Sequence, residues 1–167
     1  MKKQFLIYTA IGLVLVAIGI AFLFYIQRGA HIELKGAVLK VRTLPVDASS
    51  SIAVLDFRFV NPSNYPFIVR KVDVFMEDKE GTTVGSSPIA DVDVKRLFEY
   101  YPILGQKYND SLVIRTRVDP LQSMDRMVAA RFEIPVGELD GREVFKIRVE
   151  DVDGAVSEIV EDTEKRY

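Results

Sequence analysis

The chain has one histidine, His31, and no cysteine in 167 residues. That inventory removes most side-chain chemistry at the outset. Without cysteine there are no disulfides, no thiol nucleophile and no thiolate metal site. With a single imidazole, a zinc centre or a histidine-based triad lacks the partners it needs, and His31 reads as an ordinary residue rather than a general base. Ser49, Ser50 and Ser51 adjoin no Gly-x-Ser-x-Gly elbow of the kind that exposes a nucleophile, so they read as loop. Two acidic groups remain, Asp91 with Asp93, and Glu150, Asp151 and Asp153. The second has some features of a calcium loop. Yet with Gly154 on that motif's glycine, Val149 takes the first ligand position and Val160 stands where a bidentate glutamate belongs. Asp153-Gly154 is also the pair preferred by two-residue hairpins, which accounts for the cluster. No catalytic residue, metal ligand or cofactor site is expected, and the chain reads as non-enzymatic.

Binding is the other chemistry open to these residues. In DVDVKRLFEYYPILG, Val94, Leu97, Phe98 and Tyr101 recur at i, i+3, i+4 and i+7, the spacing of one helix face. Such a stripe either lines a groove for an acyl chain between helix and sheet, or covers an open sheet edge or core end. Asn109-Asp110-Ser111 matches a glycosylation acceptor, whereas Pro62 excludes Asn61-Pro62-Ser63.

The elements that position these residues begin with a membrane anchor. Residues 5–26, FLIYTAIGLVLVAIGIAFLFYI, carry no charge. About 22 residues make a helix of roughly 33 Å, which matches a hydrocarbon core of about 30 Å. The run is too long for a signal peptide's apolar region, and Arg28 stands where a cleavage site needs a small residue. Lys2, Lys3 and the terminal amine place residues 1–4 in the cytoplasm, and the domain that follows is therefore extracytoplasmic, either periplasmic or extracellular. Ala10 with Ala17 and Gly12 with Gly19 recur at seven-residue spacing, which permits close helix pairing and hence dimerisation.

Charge excludes another class of partner. Apart from Lys2 and Lys3, 20 basic residues face 24 acidic ones. No basic cluster longer than a pair occurs, so nucleic-acid binding is not expected.

Beyond the anchor the governing period is two. In HIELKGAVLKVRT the apolar set is Ile32 and Leu34, then Ala37, Leu39 and Val41, and a bulge at Gly36 explains the change of parity. SIAVLDFRFV puts Ala53, Leu55, Phe57 and Phe59 on one face and Asp56 and Arg58 on the other, as in a strand buried on one side only. Further strands are expected at KVDVFME, SLVIRTRV, RMVAARFEI and EVFKIRVE. About eight strands at such spacing predict an all-β antiparallel sandwich. Gly81 and Asp153-Gly154 supply tight turns. The one short helix is capped by Asp93 and ended by Pro102, and a second turn starts at Asp119-Pro120. Residues 161–167 read as a disordered tail. Between two of the strands, Asn61, Pro62, Asn64 and Pro66 form a six-residue stop that is too long for a tight hairpin and carries the chain over an end of the sandwich.

That stretch, VLDFRFVNPSNYPFIVRKVDV, preceded by the strand AVLKV, resembles the late embryogenesis abundant type-2 (LEA type-2) family, also called the water stress and hypersensitive response (WHy) domain. The resemblance covers residues 31–160, and Asn61, Pro62, Asn64 and Pro66 are the motif positions. It implies an immunoglobulin- or fibronectin III-like β-sandwich with one short helix behind a single transmembrane anchor. It also implies a role in desiccation or stress protection through contact with the envelope or a protein partner. The alternative is lipid binding or transfer in a groove beside residues 94–101.

Overall fold

The computed structural model describes Tyr8, residues 12–22 and residues 33–162. The chain divides into two compact units, Met1–His31 and Ile32–Tyr167. In the first, residues 12–22 are helical and exposed along their whole length. Among the described residues no helix is long and apolar enough to cross a membrane. The expected span at residues 5–26 lies partly outside the described residues, and residues 1–4, Ala10, His31 and residues 163–167 lie wholly outside them.

The second unit is made of strands β1 (Lys35–Pro45), β2 (Ser51–Val60), β3 (Phe67–Glu77), β4 (Thr83–Gly85), β5 (Ser87–Pro88), β6 (Arg117–Val118), β7 (Ser123–Phe132), β8 (Val144–Asp151) and β9 (Val156–Val160). Helix α1 (Asp91–Tyr100), a 3-10 turn (Pro102–Leu104) and the single turn α2 (Val136–Asp140) complete it. One sheet has the order β1-β2-β7-β5, the other β4-β3-β8-β9 with β6 added to β3, and every strand pair is antiparallel. The sheets face one another as a sandwich. Ala53, Leu55, Phe57 and Phe59 of β2 meet Val72 and Val74 of β3 and Phe145 and Ile147 of β8 in the main core. Phe132 and Phe145 join the sheets with ring centroids 5.8 Å apart. Burying each such side chain stabilises by about 1.5–3 kcal/mol.

The second face of β2 departs from the expected pattern. Ile52 and Val54 are buried too, beneath Val94 and Leu97 of α1 and Leu104, together with Leu44, Met127 and Ala129. Asp56 on that face is also buried, paired with Arg42. β2 is thus covered on both sides, by a sheet and by a helix, and its alternation marks two kinds of interior rather than interior and solvent.

Several local expectations need correction. The bulge in β1 falls between Val38 and Lys40, so Leu39 is exposed. Gly36 is required for another reason, since a Cβ there would stand 2.4 Å from the Arg58 carbonyl oxygen. Helix α1 starts at Asp91 with Ala90 as its N-cap, and no side chain caps it. Asp93 is inside the first turn; the helix stops at Tyr100, just before Pro102 as expected, and Pro102 then opens a 3-10 turn. Asp119-Pro120 forms a β-turn closed by Gln122 N–H to the Asp119 carbonyl, with Leu121 at φ 58°, and not a helix. SLVIRTRV contributes only Arg117–Val118 as strand. The hairpins at Gly81 and Gly154 have three-residue loops with the glycine at φ 84° and 86°, so Asp153-Gly154 does not form the two-residue turn. Glu161, expected in a disordered tail, is buried against Arg142.

The two lateral sides of the sandwich are closed differently. On one, Val38 of β1 bridges Glu161 just beyond β9, and the Leu34 amide donates to Ser157 Oγ at 2.8 Å. On the other, the edges of β7 and β3 are joined by two straps. The first runs from β3, where Ser86 Oγ donates to the Val74 carbonyl, to β7, where the Ile89 amide donates to Ala129. The second leaves β7 at Asp110 and Leu112, both bonded to Met127, and reaches Val69 of β3 through the amide of Arg115 and the carbonyl of Thr116. Arg115 turns this strap at φ 69°, a conformation that strains an L-residue.

Candidate functional site

Between the straps the sandwich is open. A cleft of about 580 Å³ lies there, within the range of about 300–1,000 Å³ usual for ligand sites. Its floor is Met127, Val128 and Ala129 of β7 and Val72 of β3, and its walls are Ile89 and Ala90 on one strap and Leu112, Val113 and Ile114 on the other. Polar groups are confined to Lys71, Asp73, Asp91 and Ser111. Asp91, the first residue of α1, is therefore the contact between the helix and the cleft.

A second, smaller hollow of about 290 Å³ shares Asp91, Ser111 and Val113 with the cleft. It is polar, and Lys95, Lys107 and Arg126 stand around it with Asp91 and Asp110. The Ser111 hydroxyl is shielded from solvent and makes no hydrogen bond of ordinary geometry. It nevertheless lies close enough to Asp91 to be the largest influence holding that carboxyl below its usual range, ahead of the Lys107 and Lys95 ammonium groups, while partial burial opposes them.

The four residues expected to line a groove beside the helix do not form one. Val94 and Leu97 are packed into the outer core, Phe98 lies under the Arg42 guanidinium at 5.0 Å from its ring centroid, and Tyr101 falls beyond the helix end. Arg42 also donates to the carbonyls of Leu104 and Gln106 at 2.9 Å, and Asp56 accepts from Asn109 Nδ2 at 2.9 Å. The space under α1 is filled by these contacts. Asn109 Nδ2 is thereby committed as a donor to Asp56, and a glycan would replace one of its two hydrogens.

Asn61, Pro62, Asn64 and Pro66 lie away from the cleft lining, in the loop that crosses from β2 in one sheet to β3 in the other. Asn61 is fully buried and organises that crossing. Its Nδ2 donates to the Tyr65 and Val118 carbonyls at 2.7 and 3.2 Å, its Oδ1 accepts from the Ser63 amide and hydroxyl, and its backbone pairs with Leu121 and Gln122. Pro62 and Asn64 are exposed and Pro66 is half-buried. The acidic cluster at 150–153 has a comparable structural use, because Asp151 Oδ1 accepts from the amides of Ile68 and Val152, both at 2.8 Å. Ser50 and Ser51 are buried, with Ser50 Oγ donating to Asp47 and Ser51 Oγ to the Ile134 carbonyl.

Of the cleft lining, Asp91 and Ser111 belong to candidate-site patterns read from the sequence, but the apolar residues do not. One signal did point to them: Leu112-Val113-Ile114 is an unbroken apolar run, unlike the alternation of a half-buried strand.

No family model and no curated protein matches the chain. Among solved structures it is similar to the archaellum periplasmic stator protein FlaG from Sulfolobus acidocaldarius, at 8% identity and a TM-score of 0.34 over 77% of this chain and 98% of that one. It is also similar to an uncharacterized β-sandwich protein from Clostridium difficile 630, at 12% identity and a TM-score of 0.33 over 77% of this chain and 80% of that one.

Proposed function

We propose that the chain is a non-enzymatic, membrane-anchored module of the LEA type-2 kind, held outside the cytoplasm, whose sandwich takes a hydrophobic ligand in the lateral cleft. The observation that carries this reading is the cleft itself, a mainly apolar opening of about 580 Å³ between two straps, with only four polar residues in its lining. The anchor at residues 5–26 supplies nearness to lipid, and the sandwich supplies a rigid frame for the site.

The test is native mass spectrometry of the unit Ile32–Tyr167, purified without added detergent, against the same unit carrying Ala90→Trp. Ala90 is exposed and lines the cleft, and alanine is already a poor N-cap, so tryptophan fills the opening without removing a cap. Lipid on the wild type and none on the folded variant is the expected result. A well-folded wild type that carries no lipid overturns the reading.

That outcome would favour a second reading, a stress-protective or envelope interaction module with no small ligand. Its support is the exposed group Tyr100, Ile103 and Tyr108, which are 78%, 83% and 64% accessible along one stretch of chain.

A further inference from the structure

The cleft and the basic hollow share three residues and differ sharply in chemistry. One is lined by aliphatic side chains, the other by three cations and two carboxylates. The key cation is Lys107, whose side chain is only 20% exposed. Its ammonium stands 3.6 Å from Asp91 and 3.8 Å from Asp110, beyond the roughly 2.7–2.9 Å of a charge-assisted hydrogen bond. An ammonium held at that distance from its carboxylates retains donors for a closer oxygen. Arg126 forms no ion pair with a carboxylate among the described residues, and its guanidinium donates to the Asp125 carbonyl at 3.1 Å. Lys95, 3.9 Å from Asp91, completes a hollow with one more positive than negative charge.

Resting on the reading of the cleft as a hydrophobic-ligand site, we propose that its ligand is a single-chain anionic amphiphile, a long-chain fatty acid. The acyl chain lies between the straps along Met127–Ala129 and the carboxylate reaches Lys107 and Arg126. The opening lies between two sheet edges, and facing sheets are about 10 Å apart, which leaves room for one chain and not for a paired-chain lipid. Charge complementarity then selects the head. A neutral hydroxyl head offers Lys107 and Arg126 one uncharged acceptor, whereas a carboxylate offers two charged oxygens and the stronger, charge-assisted bonds.

The experiment uses the full chain in neutral phosphatidylcholine vesicles at neutral pH, with a photoreactive diazirine fatty acid and the alcohol of the same chain length as probes. Cross-linked peptides are mapped by mass spectrometry. The acid is expected to label Leu112–Ile114 and Met127–Ala129 at least about tenfold more than the alcohol, and Lys107→Gln with Arg126→Gln is expected to remove that preference. Equal labelling of the cleft by both probes would overturn the anionic head while leaving the hydrophobic site in place. A preference for the acid that survives the double substitution would overturn the assignment to these two cations. Labelling confined to residues 5–26 with either probe would overturn both the head and the site.

Discussion

Arg42 of β1 and Asp56 of β2 form a buried ion pair beneath the helical layer, with side chains only 9% and 5% exposed. Arg42 further holds the carbonyls that follow α1, and Asp56 holds Asn109, so the pair fastens residues 104–109 to the sheet. Removing one partner strands the other charge where water cannot reach it. Arg42→Ala is therefore expected to lower unfolding stability by about 3–5 kcal/mol, whereas Arg42→Met with Asp56→Leu recovers most of the loss. Urea denaturation of the wild type and the two variants measures the difference, and a double variant no better than the single would show that the hydrogen bonds to the helical layer dominate.

Glu161 gives a second prediction, at the closed side of the sandwich. Its carboxylate accepts from Arg142 at 2.7 and 3.0 Å and from the Phe145 amide at 3.0 Å, and its backbone bridges Val38. Arg142 is itself stacked 4.3 Å from the Phe145 ring centroid. Glu161→Ala is expected to destabilise by about 3–5 kcal/mol by thermal unfolding, because it removes a buried carboxylate that accepts from both the Arg142 guanidinium and the Phe145 amide.

The contrast between these two pairs shows what the sequence disclosed. Alternation located β2, β3, β7 and β8, because apolar side chains at period two have one place to go. It did not disclose that Ile52 and Val54 are interior as well, since a charge such as Asp56 in the same register reads as solvent-facing until Arg42 is placed beside it. Arg42 and Asp56 are only 14 residues apart, but Arg142 reaches Glu161 from across a hairpin and Asn61 reaches Val118 over 57 residues. The cleft is harder still, being bounded by straps whose hydrogen bonds use backbone groups, which side-chain types do not reveal. The expected anchor at residues 5–26 rests, by contrast, on an unbroken apolar run alone, a pattern that needs no tertiary partner to be read.

Asp47 predicts a pH dependence. Its pKa falls from 3.8 to about 2, chiefly because the Ser50 hydroxyl donates to it, with the Ser49 amide as the next contribution. A folded-state pKa below the unfolded value means that the contribution to stability is complete above about pH 4 and is lost as pH falls towards 2. Asp47→Asn should therefore melt below the wild type at neutral pH and converge with it in strong acid. Melting temperature measured across that window tests the sign, and a constant offset down to the lowest pH would place the effect in the turn geometry rather than in the carboxylate's charge.

Leu97 and Ile114 separate the two candidate places for an acyl chain. Leu97 is 9% exposed and embedded with Val94, Ile52 and Val54, so Leu97→Asp puts a carboxylate into a filled core and is expected to unfold the domain, at a cost above about 4 kcal/mol. Ile114 is 64% exposed on the strap that walls the cleft, so Ile114→Asp should leave folding within about 0.5 kcal/mol of the wild type while setting a charge at the acyl path. Circular dichroism and native mass spectrometry on both variants then read folding and lipid retention independently. Loss of lipid with the fold intact belongs only to Ile114→Asp if the ligand lies between the straps. A folded Leu97→Asp variant that sheds lipid would instead return the site to the face of the helix, because only a solvent-connected groove there could hydrate the new carboxylate without collapse.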